Sequence, residues 1–199
     1  MKIIIVGATG TIGKTITSEL GKRHEIIKAA SKSGDIKVDI TSASSIKDLF
    51  SNVGKFDALI SATGSAAFGP FDSLTEEDFY KGIKSKMMGQ INLVMIGKDF
   101  INDNGSFTLT SGILAKDPIK NGAGISFVNG ALNSFGISAA VELKRGIRIN
   151  VVSPGLVEDS HSTLGAAFPG HVPVSMTRVA AGYVKSVEGF GTGQVIEIF

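Results

Sequence analysis

Cysteine is absent from the 199-residue chain. That excludes disulfides and thiolate metal sites, and it fits a reducing compartment, so a cytoplasmic location is expected. Tryptophan is absent too, which leaves no indole to report nucleotide binding by energy transfer. Charge of one sign is not concentrated anywhere: the net charge is +2 and the basic residues are dispersed. The apolar segments carry no interleaved basic and aromatic residues, so no nucleic-acid partner is expected. Long apolar runs are also missing. No stretch approaches the ~20 residues that span a bilayer, and the apolar part of MKIIIVGATG is too short for a signal-peptide core, so no membrane partner is expected. What remains, 43% hydrophobic and 19% charged residues, describes an ordered globular chain read as one domain over residues 1–199.

Strand and helix periodicities alternate along it. Lys2–Val6 is a continuous apolar run, as in a strand covered on both faces. Ile12, Ile16 and Leu20 recur at helical spacing within Thr11–Arg23. Glu25–Ala30 reads as strand two, Ile46, Leu49, Phe50 and Val53 mark a helix, and Asp57–Ala62 is a strand. Thr75 and Asp78 form a capping-box pattern opening a long helix with Phe79, Ile83, Met87 and Ile91 on one side. Ser106–Thr110 and Ile147–Val152 are strands flanking a helix over Ile125–Lys144, which Gly146 closes. Met176, Val179, Ala180, Tyr183, Val184 and Val187 give a last helix, and Gln194–Phe199 a last strand. The fold class is α/β, a Rossmann-like doubly wound parallel sheet in three αβα layers. Only SKSGD separates strand two from IKVDI. A parallel crossover takes a dozen or more residues, so a helix usual in this architecture is missing and strand three is a few residues around Ile36–Val38.

GATGTIG (7–13) follows the first strand and opens the first helix. Such a turn either binds a dinucleotide or is an empty strand–helix turn, and its context favours the dinucleotide. Gly7, Gly10 and Gly13 allow unusual φ and close backbone approach, and the helix start at Thr11 and Ile12 offers free N–H groups to a pyrophosphate, with Thr9 beside them. Ribose specificity is set after strand two, where Ser31 and Lys32 stand in place of an acid. Lys32 suits a 2′-phosphate, so NADP(H) is preferred and NAD(H) is the alternative. Lys32 as a solvated loop charge is the competing reading, and Asp35 lies close by.

With these residues in order, the chain resembles the short-chain dehydrogenase/reductase family over nearly its whole length. GATGTIG sits at that family's pyrophosphate loop, and VDI (38–40) matches a segment that contacts adenine, here Asp39 with Ile40. SATG (61–64) corresponds to a stretch running along the cofactor, here Ala62, Thr63 and Gly64. LTSG (109–112) matches the strand ending in a catalytic Ser, here Ser111. RINVVSPG (148–155) matches the turn that cradles nicotinamide, here Pro154 and Gly155, with Val157 just beyond.

The chemistry departs from the resemblance. Family members use a Tyr as proton donor, a Lys that lowers its pKa, a Ser that holds the carbonyl, and an Asn on the long helix. Here Ile125 stands at the Tyr, Asn129 at the Lys and Lys86 at the Asn, while Asp159 replaces a frequent Thr; Ser111 alone survives. YKGIK (80–84) is literally YxxxK but lies upstream of Ser111 on the long helix and reads as a decoy; Tyr183 reads as core. Lys86 has two readings, as a substitute acid beside Ser111 or as a lysine that caps a carbonyl or reaches solvent. His161 and His171 lie in the segment where the family has its substrate lid, with Leu164, Phe168 and Pro169 as apolar lid residues; one His is a candidate acid, and no metal is expected. Three functions compete: an NADP(H)-dependent oxidoreductase acting on a small carbonyl or alcohol, favoured slightly; a silent NADP(H)-binding sensor; and a structural protein without nucleotide. The resemblance also implies a homodimer or homotetramer, with Phe127, Ala131, Phe135 and Ala139 as the helix stripe concerned.

Overall fold

A computed structural model describes Met1–Phe199. The strands are β1 (Lys2–Val6), β2 (Glu25–Ala30), β3 (Ile36–Lys37), β4 (Phe56–Ser61), β5 (Ile101–Thr110), β6 (Arg148–Pro154) and β7 (Val195–Ile198). They form one seven-stranded sheet in the order β3-β2-β1-β4-β5-β6-β7, parallel at every pairing. The helices are α1 (Thr11–Leu20), α2 (Ala43–Val53), α3 (Glu76–Gly82), α4 (Met88–Gly97), α5 (Ala123–Glu142), α6 (Glu158–Leu164) and α7 (Met176–Glu188). This is the Rossmann-like doubly wound arrangement. The chain reverses direction of travel across the sheet between β1 and β4, which opens a crevice at the carboxyl ends of those strands.

Alternation along β1 feeds both faces. Ile4 and Val6 join a core with Phe50, Phe56, Phe107 and Leu132, whereas Ile3 and Ile5 join Ile16, Leu20 and Tyr183 on the other side. Each fully buried side chain of this size contributes about 1.5–3 kcal/mol. That burial holds the sheet rigid beneath the loops of the crevice.

The link from β2 to β3 has no helix. It turns through Gly34 at φ +118°, and β3 has two residues. The Thr75–Asp78 capping box is formed. The helix it opens is not continuous: a π-turn at Ile83–Met87 separates α3 from α4. β5 begins at Ile101, earlier than its apolar pattern suggests, because Asn102–Asn104 are exposed and hide the strand; its register against β4 shifts between Phe56 and Ala58.

The expectation that no apolar stretch approaches membrane-spanning length is corrected by α5. It is 20 residues long, with mean hydropathy 1.2 over its most apolar 18. Charge is absent until Glu142, and Ile125, Phe127, Val128, Leu132, Phe135, Ile137 and Val141 raise the average. Its sheet-facing Val128, Leu132 and Gly136 are buried, and a Cβ at Gly136 would come within 2.4 Å of the Val151 side chain. Small residues are thus there to bring α5 close to β6.

Candidate active site

The first part of the site is a groove of about 410 Å³ at the carboxyl ends of β1, β2 and β4. Gly7, Thr9 and Gly10 line it from the β1–α1 turn, Ser31, Asp39 and Ile40 from one flank, and Ala62, Thr63 and Gly64 from the other. The amides of Thr11, Ile12 and Gly13 at the start of α1 have no partner within the chain. The turn is tight: Gly7 has φ +87°, and a Cβ at Gly13 would lie 2.0 Å from the Gly7 carbonyl oxygen. A groove with free amides at a helix start fits a dinucleotide pyrophosphate.

Lys32 is exposed and does not line the groove. Asp35 turns away from it: its carboxylate accepts from the Lys28 amide at 2.8 Å, and its own amide donates to the Lys28 carbonyl at 2.7 Å. Asp39 stays on the groove wall, where the hydroxyl and amide of Thr41 hold its carboxyl below the usual range. Three polar wall residues escaped the sequence reading: Thr41, Ser65 and Ser85. Ser85 Oγ accepts from the Ser65 amide at 3.1 Å, which ties the long helix to the end of SATGS. Ser65 directly after Gly64 was the available signal.

The second part is a corner at the end of β5. Gln90 is fully buried, and its amide exchanges two hydrogen bonds of 2.9 Å with the Thr110 backbone. It acts there like a neighbouring strand. Thr110 Oγ1 donates to the Ser61 carbonyl at 2.6 Å and lies 2.7 Å from the Tyr183 hydroxyl. Tyr183 is fully buried, and burial raises its pKa. It belongs to the core, as its helical spacing indicated. Tyr80 and Lys84 are both exposed, so the literal YxxxK points to solvent.

Lys86 sits in the π-turn and is buried. The extra residue of such a turn commonly redirects a side chain at a functional position. Lys86 Nζ donates to the Ser111 carbonyl at 3.3 Å and has no carboxylate partner; burial lowers its pKa to about 8. Of the two readings of Lys86, the geometry matches the second: it caps a carbonyl, and that carbonyl is Ser111's. Ser111 Oγ is buried without a partner, and so is Asn129 Oδ1. Asn129 Nδ2 lies against Gly112, 3.1 Å from where a Cβ would be. Gly64, at φ +104°, packs on Lys86 so closely that a Cβ would meet the Lys86 Cα at 2.6 Å. This glycine joins the groove to the corner. Ile125 is half-buried on α5, one turn before Asn129.

Pro154, Gly155 and Val157 do not line the groove. They carry the chain from β6 into the lid: the Gly155 amide donates to the Ile198 carbonyl at 2.8 Å, and Val157 bridges to Val174. The Glu158 carboxylate also accepts from the Met176 amide at 2.8 Å, so both ends of the lid are pinned. Beside the lid is a pocket of about 610 Å³ whose walls include Phe68, Ile119 and Pro169. Of the three apolar lid residues, Pro169 faces this pocket; Leu164 is 46% exposed, and Phe168 packs edge-on against His171. His161 and Asp159 are exposed, and no trio of His, Asp and Glu converges on a metal-binding geometry.

The model of the enoyl-(acyl carrier protein) reductase group matches residues 9–178. A hydroxynaphthalene reductase-like protein of Metarhizium brunneum is 28% identical over 180 residues, covering 78% of this chain and 67% of that protein. The crystal structure of the protein lin1944 from Listeria innocua superposes with a TM-score of 0.99 at 49% identity, over 100% of both chains. A small-chain dehydrogenase in complex with NADPH gives 0.87 at 24% identity, over 100% of this chain and 96% of that one. The chain belongs to the short-chain dehydrogenase/reductase family.

Proposed function

We propose that the protein is an NADP(H)-binding oxidoreductase that acts on a small carbonyl or alcohol through an atypical site. The observation that carries this reading is the buried Lys86 ammonium, 3.3 Å from the Ser111 carbonyl, beside an unpartnered Ser111 hydroxyl. The groove's free amides and glycine turn support the cofactor, and the NADPH complex of the similar fold supports the choice of NADP(H). Bound nicotinamide supplies the hydride. Gly7, Gly10 and Gly13 leave room for the pyrophosphate, with the Thr11, Ile12 and Gly13 amides facing it, Thr9 beside them, and Ser31 and Lys32 toward the ribose. Asp39, Ile40, Ala62, Thr63 and Gly64 would hold the adenine and the length of the cofactor along the groove, and Pro154, Gly155 and Val157, beyond the groove wall, would hold its nicotinamide end. Ser111 Oγ donates to the substrate oxygen. Lys86, poised near pH 8, gives a proton as that oxygen gains charge, and Asn129 holds the neighbouring backbone.

A silent NADP(H)-binding sensor is the second reading, favoured by Ile125 in place of the family's proton donor. The two are separated by following NADPH oxidation across a panel of aldehydes and ketones with the natural protein and Lys86→Met. Turnover that collapses in Lys86→Met supports the enzyme; tight NADPH binding with no turnover on any carbonyl selects the sensor.

Self-association belongs to the same reading. On α5, Ile137 is 53% and Val141 86% exposed, whereas Phe135 and Ala139 of the expected stripe pack on the core. In this reading the exposed Phe127, Ile137 and Val141, rather than Phe135 and Ala139, would meet the second copy. Light scattering at micromolar concentration is expected to give the mass of two or four chains; a monomer mass contradicts it.

A further inference from the structure

The pocket beside the lid is lined by Phe68, Ile119, Ala166 and Pro169 together with the polar Lys120 and Asn121, and an exposed Asp117 meets His171 on its wall. The closest approach, His171 Nε2 to Asp117 Oδ2, is 3.8 Å. That is too long for a direct hydrogen bond. Neither side chain has another hydrogen-bond partner in the chain. His171 is nevertheless held in place: its ring is 5.3 Å from Phe168 at 84°, and its side chain is 13% exposed. This pair is also the sole polar side-chain contact between residues 159–173 and the rest of the molecule.

Two polar atoms 3.8 Å apart, one able to donate and one able only to accept, match a third group that does both. A hydroxyl oxygen placed between them donates to the Asp117 carboxylate and accepts from His171 Nε2–H, each at ordinary length. A carbonyl can only accept, and an ammonium can only donate. We infer that Asp117 and His171 form a hydroxyl-recognition subsite, so that the substrate is an apolar carbonyl compound bearing a second, hydroxyl group. The inference rests on the oxidoreductase reading for the word substrate, but the subsite binds with or without turnover. Occupancy joins lid to body through the ligand.

The probes are 1-tetralone and its 5-, 6- and 7-hydroxy derivatives, small enough for a 610 Å³ pocket. Dissociation constants are measured by calorimetry with and without saturating NADPH, for the natural protein, His171→Phe and Asp117→Ala. At least one hydroxy isomer is expected to bind about tenfold more tightly than 1-tetralone, and both variants are expected to abolish that preference. His171→Phe keeps an aromatic ring against Phe168, so its loss of preference reads the hydrogen bond rather than the packing. Equal affinity for all four ketones, which is the result if solvent water fills the gap, overturns the subsite; so does failure of every ketone to bind, or a preference that survives both variants. NADPH titrated alone reads the groove separately. Absent NADPH binding with an intact hydroxyl preference overturns the oxidoreductase reading and leaves the subsite standing. Normal NADPH binding without a preference does the reverse.

Discussion

The groove beside β1 is walled largely by backbone, whereas the corner at the end of β5 is built from side chains. In the groove, free amides of α1 and glycines without Cβ atoms make the shape. In the corner, Lys86, Gln90, Ser111 and Asn129 make it, each buried and each dependent on its identity. Backbone sites tolerate drift in side chains because their donors are common to all residues. Side-chain sites change chemistry with one substitution. Gly64 touches both regions, so a side chain there would disturb the groove and Lys86 together.

Substitutions that hit one region and spare the other sharpen this contrast. The largest effect is expected from Lys86→Met: carbonyl reduction falls about 10²–10⁴-fold while NADPH affinity is kept. Loss of both together would merge the two regions. Lys86 also sets a pH signature. Its pKa is lowered from 10.5 to about 8 by burial. Below pH 8 the folded and unfolded chains both hold the proton; between 8 and 10.5 the unfolded chain binds one more. Stability therefore rises with pH across that window, on the order of 3 kcal/mol, and the rise is missing from Lys86→Met in paired denaturation curves. Reduction, which needs the protonated amine, slows above about pH 8.

Next in size is Gly13→Val. A Cβ there meets the Gly7 carbonyl at 2.0 Å, so the turn must shift. A stability loss of about 3 kcal/mol in the denaturation midpoint, together with loss of NADPH binding, is expected. A folded variant that binds NADPH normally would show that the turn is not the pyrophosphate seat. The smallest effect is expected from Lys32→Ala: about tenfold weaker NADPH and unchanged NADH by calorimetry. Lys32 is exposed and lies outside the groove wall, next to Ser31, so a 2′-phosphate contact would need its side chain to reach in. An equal loss for both cofactors would place the NADP(H) preference elsewhere.

The same contrast explains what the sequence disclosed. The sheet, the missing crossover helix, the capping box and the groove glycines were legible because periodicity and glycine position act locally. The π-turn at Ile83–Met87 was not, since Met87 and Ile91 continue a helical stripe through it. Gln90 and Thr110 were missed because their pairing joins residues 20 apart on different elements. The start of β5 was hidden by its exposed Asn102–Asn104, and the Asp117–His171 pair by a separation of 54 positions. Contacts made by folding leave no periodic trace.

In the proposed reading the groove binds NADP(H) while Lys86 in the corner supplies the proton. Calorimetric titration of NADPH, with NADH beside it, into the natural protein and Lys86→Met tests this most directly. Micromolar or tighter NADPH binding, weaker NADH, and the same NADPH affinity in the variant are predicted. No heat from either cofactor would make the glycine turn a structural corner and contradict the account.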